Sequence, residues 1–320
     1  MKLGVFDPVF GSLDLEPMLE KITELGIDAV ELGAGNYPGN RHCNPATLMR
    51  EPEATAAFKD AFESRGLEIS ALSCHGNPIH PDHDRAAADD AVFRETVRLA
   101  EGLGVGVVNV FSGCPGDSAS AIRPNWVTCA WPPEYLETLE WQWDEVVIPY
   151  WREAGAFASD HGVRLGFEMH PGFVVYNPRS LLRLRDAVGE VIGANLDPSH
   201  LFWQQIDPIV AIRELGSAIY HVHAKDTLID EWNTARNGVL DVTSYRDLRE
   251  RSWTFRSVGD GHDLLFWKRF VSALRLAGYD HVLSIEHEDP LASVNDGLRR
   301  AVSALREAIL GEPSTATWWA

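Results

Sequence analysis

The chain has 320 residues, of which 45% are hydrophobic and 23% are charged, so it can bury a substantial core and is typical of a globular protein. Its formal net charge of −19 argues against a nucleic-acid partner, because a phosphate-binding surface must be basic. The same charge argues against binding to anionic membranes. We therefore expect no nucleic acid and no membrane among its partners.

The N-terminus and the cysteines indicate a cytoplasmic protein. The first ten residues, MKLGVFDPVF, lack the apolar region of a signal peptide, and no run approaches the roughly 20 apolar residues of a spanning helix. Four cysteines lie far apart without a CxxC pair, which favours reduced thiols over a disulfide framework. They are Cys43, Cys74, Cys114 and Cys129.

Eight short apolar runs alternate along the chain with segments of helical periodicity. The runs cover residues 3–6, 28–32, 67–75, 105–113, 164–170, 192–200, 219–226 and 281–288. The helical patterns cover residues 15–26, 91–104, 151–162, 181–189, 208–216, 264–278 and 293–310. Glycine recurs just past the last periodic residue, for example at Gly26 and Gly104, as expected for helix C-caps before a following strand.

The alternation of strand and helix predicts a parallel sheet. Eight such units in a chain of this length favour a closed barrel, and the first turn, FDPVFGSLD, lacks the glycine-rich phosphate loop of a doubly wound sheet. We expect a single-domain α/β protein, a (β/α)8 TIM barrel over residues 1–310. A separate tail follows at residues 311–320, and its two tryptophans either dock on a partner or are disordered.

Two connections, residues 114–145 after the fourth strand and 227–262 after the seventh, are longer than the rest. Both lie at the carboxyl ends of strands, where TIM barrels build their active sites, and their Pro, Gly and Trp content favours ordered lids. Their aromatic side chains either pack within the lids or a subunit interface, or form a stacking wall for a sugar ring or a flat aromatic group. We expect packing for most and ligand contact for one or two.

The last four apolar runs each carry a carboxylate or an imidazole at the downstream end. These residues are Glu168, Asp197, His223 and Glu286. Any one alone could be a solvated rim residue or a helix cap. Together, on successive strands, three carboxylates would repel one another unless a cation lay among them. The set predicts a divalent-metal site, with Mn²⁺ expected first because it accepts both oxygen and nitrogen ligands, and with Mg²⁺, Co²⁺ and Zn²⁺ left open.

The stretches FEMHP, NLDPSH, HVHAKD and SIEHED, with SCHGNP after the third strand, resemble the xylose-isomerase-like TIM barrels, the superfamily of sugar isomerases and epimerases. The resemblance covers residues 3 to about 310. It implies that Glu168, Asp197, His223 and Glu286 are metal ligands. In the ketose epimerase branch the first and last of these also act as acid and base, which implies Glu168 and Glu286 as the catalytic residues.

Four more residues are candidates for substrate binding. His200 lies in DPSHL at a position that the family has near the metal, and His75 ends the third strand in SCHGNP. His262, in GDGHD, either contacts substrate or anchors its loop. Lys225 either polarises a carbonyl or merely pairs with Asp226.

Such a site supports removal of a proton next to a sugar carbonyl. Return of the proton to the opposite face gives an epimer, and return to the adjacent carbon gives an isomer. A leaving group β to the carbonyl is expelled instead, so isomerase, epimerase, dehydratase and lyase share one constellation. We expect a sugar isomerase or epimerase first.

Elimination is the second expectation. The chain also resembles the catalytic (alpha) subunits of bacterial C-glycoside deglycosidases, which act on 3-oxo-glycosides together with a small second subunit, and the inosose dehydratases. The expected partners are a carbohydrate or glycoside substrate and either a second copy of the chain or a small second subunit. An abasic-site endonuclease shares the barrel, but the charge of −19 speaks against it.

Overall fold

The computed structural model describes residues 1–312 and Trp319, so the prediction for the tail falls almost entirely outside the described residues. Ten strands are present: β1 (Lys2–Phe6), β2 (Ala29–Gly33), β3 (Glu68–Ser73), β4 (Val107–Val110), β5 (Arg164–Glu168), β6 (Ile192–Leu196), β7 (Ile219–Ala224), β8 (Asp226–Ile229), β9 (Trp253–Arg256) and β10 (Val282–Ile285). Eight of them are parallel and close into a barrel in the order β1-β10-β7-β6-β5-β4-β3-β2. The prediction of a (β/α)8 TIM barrel is confirmed.

Helices cover the outside of the barrel and fill the crossovers between its strands. They are α1 (Leu15–Glu24), α2 (Pro45–Leu48), α3 (Pro52–Glu63), α4 (His83–Leu103), α5 (Glu134–Trp141), α6 (Ile148–Asp160), α7 (Pro178–Val188), α8 (Pro198–Phe202), α9 (Pro208–Leu215), α10 (Glu231–Asn237), α11 (Leu264–Leu276) and α12 (Val294–Ala308). The sequence patterns did not predict α3, because Phe58 and Phe62 are its only large apolar side chains. Within the described residues, no helix is long and apolar enough to cross a bilayer.

The barrel strands are buried on both faces. Every residue of β2, β6 and β7 is buried, as expected of parallel strands that pack against helices outside and against each other's side chains inside. The outer layer holds the largest apolar groups, among them the fully buried Trp151 of α6 and Trp267 of α11. The inner layer is polar toward the carboxyl ends of the strands, where Glu31, Asn109 and His223 meet.

The two long connections are ordered, in agreement with the prediction. In the first, the Gln142 side chain donates hydrogen bonds to the carbonyl oxygens of Gly116 and Asn125 at 2.9 and 2.7 Å. The second contains the antiparallel pair β8–β9. The indole of Trp253, in β9, stacks on the indole of Trp203 with centroids 4.7 Å apart. Buried hydrogen bonds and stacked rings of this kind hold a loop in one conformation.

Gly193 in β6 provides a test of how tightly the barrel is packed. A Cβ at this position would lie 2.3 Å from the ring of Tyr220 and 2.5 Å from the carbonyl oxygen of Ala218. We expect Gly193→Ala to lower the free energy of unfolding by about 1–3 kcal/mol, because a backbone atom cannot move aside cheaply. Urea denaturation measures the change. Gly106→Ala is the matched control, because nothing lies within 4 Å of that added Cβ; equal losses in the two variants would contradict the prediction.

Candidate metal centre and cavity

The four predicted ligands lie together at the carboxyl ends of β5, β6, β7 and β10. One ligand atom from each of Glu168, Asp197, His223 and Glu286 lies within 4.8 Å of all the others. Glu168 ends β5, Asp197 directly follows β6 and caps α8, and Glu286 directly follows β10. The barrel closes these strand ends into one ring, although the four residues are spread over more than a hundred positions of the chain.

Several polar atoms at this centre face each other without forming hydrogen bonds. His223 Nδ1 lies 2.9 Å from Glu286 Oε2, and His75 Nε2 lies 3.0 Å from Glu168 Oε2. Nevertheless Glu286 Oε2, Asp197 Oδ2, and the Nε2 atoms of His75 and His200 have no hydrogen-bond partner among the described residues. Buried polar atoms rarely stay unpaired. Lone pairs that converge at poor hydrogen-bond angles fit a bound divalent cation, so the residues present fit the predicted metal.

The three carboxylates have different surroundings, which shift their pKa values in different directions. Burial raises the pKa of Glu286, but Lys225 and His223 outweigh it and lower that pKa to about 2. Burial also raises the pKa of Glu168, yet the neighbouring histidines, His75 foremost, bring it well below its usual value. Asp197 is the exception, because burial with the two other carboxylates nearby raises its pKa to about 6. Two of the three are therefore ionised across the ordinary pH range, and the third becomes so near neutrality.

Glu31, in the middle of β2, is a site residue that the sequence analysis missed. It is completely buried, and both of its oxygens lie 2.9 Å from His223 Nε2. It also accepts hydrogen bonds from Ser73, Asn109 and Ser284. An acid inside a buried strand was the only signal in the sequence, and its partners come from four other strands.

Glu31 orients the candidate ligand His223. With Nε2 held by the carboxylate, Nδ1 faces Glu286 and Glu168, which is the direction a metal ligand must take. Burial disfavours the charged ring, but Glu31 and Glu286 raise the pKa of His223 well above its usual value. A second cluster of Glu31, His221 and His223 also has ligand spacing, but the Glu31 oxygens are already occupied by donors. We therefore assign Glu31 to the support of the first cluster.

A cavity of about 390 Å³ opens above this centre. Glu168 and Glu286 line it, and so do three of the four predicted substrate-binding residues, His75, His200 and Lys225. Six further lining residues form a largely apolar part of the wall: Phe6, Pro8, Val9, Tyr37, Pro38 and Phe111. The cavity therefore combines a polar floor with an apolar wall, as small-molecule sites commonly do.

The contacts of His262 and Lys225 bear on the alternatives that the sequence left open for each residue. His262 is not among the cavity-lining residues; its Nδ1 lies 2.7 Å from Asp226 Oδ1 and its ring stacks on Phe202, so it anchors its loop. Lys225 does not pair with Asp226, because its ammonium contacts Glu286 and Glu288 instead. No tryptophan of the described residues lines the cavity. The tryptophans of the two long connections pack or lie at the surface, as expected for most of them.

Metal affinity should depend on pH through Asp197. Because its pKa lies at about 6, a proton competes with the metal below that pH. We expect Mn²⁺ to bind at least about tenfold more weakly at pH 5 than at pH 7, measured by titration calorimetry. Asp197→Asn should bind more weakly at both values and lose the part of this pH dependence that comes from Asp197, whereas the part that comes from the proton on His223 should remain. A pH-independent affinity in the unaltered protein would show that Asp197 is not a ligand.

Removing the charge of Glu31 should weaken metal binding although Glu31 is not itself one of the candidate metal ligands. We expect Glu31→Gln to reduce the affinity for Mn²⁺ by about 10–100-fold, because His223 loses the carboxylate that orients it. Ser284→Ala is the matched control, since it removes a single hydrogen bond to the same carboxylate and should cost less. Unchanged affinity in a folded Glu31→Gln variant, checked by circular dichroism, would exclude the supporting role.

Comparison with known proteins gives the same fold over almost the whole chain. The family model described as xylose isomerase-like TIM barrel matches residues 19–308. An uncharacterized protein of Bacillus subtilis (strain 168), YfiH, is 40% identical over 312 residues, covering 97% of this chain and 99% of its own. The inosose dehydratase of Clostridium perfringens is 21% identical over 297 residues, covering 92% of both chains.

Solved structures of low sequence identity share the barrel. A probable 3-DHS dehydratase, AsbF, from Bacillus anthracis superposes with a TM-score of 0.67 at 18% identity, covering 96% of this chain and 99% of its own. The 3-keto-D-glucoside 4-epimerase YcjR of E. coli has a TM-score of 0.65 at 14% identity, covering 96% and 99%. The IOLI protein, solved with a zinc atom, also has a TM-score of 0.65, at 18% identity and 96% of both chains. Because the family model matches residues 19–308, most of the chain, the chain belongs to the xylose isomerase-like TIM barrel family.

Proposed function

We propose that this protein is a divalent-metal-dependent enzyme that removes the proton from the carbon next to a sugar carbonyl, and that it acts as a sugar isomerase or epimerase. The observation that carries the proposal is the convergence of three carboxylates and one histidine, two of which, Glu168 and Glu286, line a cavity with a largely apolar wall. The epimerase of 3-keto-D-glucosides among the structural neighbours supports the same class of substrate.

Glu168, Asp197, His223 and Glu286 would hold the cation. When bound there, a divalent ion would supply Lewis-acid chemistry, which lowers the cost of negative charge on the carbonyl oxygen of the substrate. Mn²⁺ is our first choice, because the set mixes carboxylate oxygens with an imidazole nitrogen. The zinc atom in the IOLI protein keeps Zn²⁺ a second choice.

Glu168 and Glu286 would move the proton. Both line the cavity, and the low pKa values described above leave both ionised at neutral pH, the state in which a carboxylate accepts a proton. One takes the proton from the carbon, and the electron pair of that C–H bond moves toward the carbonyl oxygen. The epimer forms when the other carboxylate, after taking up a proton from solvent, gives it to the opposite face of the same carbon. The isomer forms when the proton of the neighbouring hydroxyl group moves to the former carbonyl oxygen and the abstracted proton is added to the former carbonyl carbon.

Lys225 and His200 would orient the hydroxyl groups of the sugar. The ammonium of Lys225 lies 3.1 Å from Glu286 Oε1, and His200 Nε2 lies 3.2 Å from Glu168 Oε1. Each thus places a donor beside one of the two proton-transferring carboxylates. The apolar side chains that line the same cavity exclude water from the developing negative charge. This exclusion strengthens the polar contacts of the ligand with Lys225 and His200.

Elimination is a second candidate, and the relative named inosose dehydratase favours it. With a leaving group β to the carbonyl, the same loss of a proton is followed by cleavage of the bond to that group, which departs with a proton from an acid such as His200. The C-glycoside deglycosidase reaction on 3-oxo-glycosides is a special case of this chemistry. A homo-oligomer or a complex with a small second subunit, and a cytoplasmic location, stay predictions.

Deuterium incorporation separates the two candidates. The Mn²⁺-loaded protein is incubated in D₂O with ketohexoses and, separately, with 3-oxo-glycosides. Exchange at the carbon next to the carbonyl without release of the aglycone supports isomerisation or epimerisation. Release of the aglycone, or loss of water from the sugar, makes elimination the main activity. No exchange and no release with either class would refute the proposal.

Replacing Glu286 should stop turnover. We expect Glu286→Gln to reduce kcat by about 10²–10⁴-fold or more, because the variant lacks the carboxylate that accepts the proton. Exchange of solvent deuterium into the substrate measures the step directly. Glu307→Gln is the control, because Glu307 forms an exposed pair with Lys268 on the outer helices. Retained activity in Glu286→Gln would disprove the assignment of the site.

A further inference from the structure

The ammonium of Lys225 is shared by two carboxylates. Its Nζ lies 2.5 Å from Glu288 Oε2 and 3.1 Å from Glu286 Oε1, and it lies 4.2 Å from the ring centroid of Phe255. The lysine side chain is 3% exposed, whereas that of Glu288 is 52% exposed. Glu288 therefore reaches in from the rim of the cavity and neutralises a lysine that would otherwise present its charge to a ligand.

The side chains of Lys225, His75 and His200 line the cavity, and each already faces a carboxylate. Lys225 is the only lysine, and there is no arginine, among the residues of the described chain that line it. The residues after 312 contain neither type. The Nε2 atoms of His75 and His200 lie 3.0 and 3.2 Å from the carboxylate of Glu168.

A bound divalent cation would not reverse this balance. Four carboxylates belong to the centre and its rim: Glu168, Asp197, Glu286 and Glu288. They would face the two charges of the ion and the one charge of Lys225. The four carboxylates exceed these three positive charges by one, and the side chains of Phe6, Tyr37 and Phe111 in the wall offer mainly carbon surface and no charge. A phosphate or a carboxylate on the ligand would meet the repulsion of the carboxylates and no charged donor on this part of the wall.

We propose that Glu288 is a specificity-determining residue that restricts this site to uncharged sugars. It does so by neutralising Lys225 and by placing a carboxylate at the rim. Phosphorylated and acidic sugars are thereby rejected, whereas a neutral sugar lays its C–H face against the apolar wall. This inference rests on the proposed function for the identity of the ligand as a sugar, but the charge discrimination itself is measured by binding alone.

The test compares a neutral ligand, 3-oxo-glucose, with two charged derivatives, its 1-phosphate and its 6-phosphate; the salt dependence and the Glu288→Gln variant separate the effect of charge from that of the added bulk. The two phosphates place the negative charge at opposite ends of the ring, so the result does not depend on how the sugar lies. Calorimetry with the Mn²⁺-loaded protein gives the dissociation constants. We expect the neutral sugar to bind at least about tenfold more tightly than either phosphate, and the margin to shrink as salt is added because salt screens the repulsion.

Glu288→Gln removes the charge and keeps the shape and the contact with Lys225. We expect the margin against at least one phosphate to fall to within about threefold in this variant. Glu307→Gln, which removes a carboxylate from a surface pair with Lys268, should keep the full margin. The inference is overturned if either phosphate binds the unaltered protein as tightly as the neutral sugar, if the neutral sugar does not bind, or if a folded Glu288→Gln variant keeps the full margin.

Failure of this inference is distinguishable from failure of the proposed function. Selective binding of the neutral sugar without deuterium exchange would leave the role of Glu288 intact and refute proton-transfer catalysis. Equal binding and equal deuterium exchange with all three ligands would refute the role of Glu288 and leave proton-transfer catalysis intact. The salt dependence in the unaltered protein tests the same repulsion without any substitution, so the result does not depend on the stability of the variant.

Discussion

The imidazole of His223 lies between two groups of carboxylates, and the arrangement of the barrel mouth depends on it. Glu31 holds one ring nitrogen from below, and Glu286 and Glu168 face the other from above. Carboxylates so close together in a buried place would repel strongly without positive charge between them. The ring and the ammonium of Lys225 supply part of that charge. The unpaired oxygens of Asp197 and Glu286 indicate that a cation belongs there as well.

The rest of the mouth follows from this charge problem. Lys225 is itself buried, so it needs carboxylates, and it takes one from the metal centre and one from the rim. The loop that closes the second long connection is tied down by the carboxylate of Asp226, which accepts hydrogen bonds from the backbone of Gly259, Gly261 and His262. Lys225 and Asp226, directly after β7, thus connect the metal centre to the rim of the cavity and to the loop. A substitution in one of these parts should alter the position of the others.

The barrel and the four candidate ligands could be predicted because both leave local signals. Eight apolar runs alternating with helical patterns imply parallel strands, and polar residues at the ends of such strands stand out. Glu31 could not be predicted in the same way, because nothing around it in the chain distinguishes it from an ordinary strand residue. For His262 the sequence left open whether it contacts substrate or anchors its loop. Its motif resembles a site loop, but its ring is turned toward Asp226 and Phe202.

The sequence by itself determined the fold class, the family resemblance and the ring of acids and histidine, because strand order and strand-end chemistry are written locally. Only the tertiary structure decided which groups share a charge. The pairing of Lys225 with Glu286 and Glu288 joins side chains more than sixty positions apart, and that of Glu31 with His223 spans 192. Such contacts arise when a closed barrel brings distant strands together, and Coulomb interactions depend on distance in space rather than along the chain.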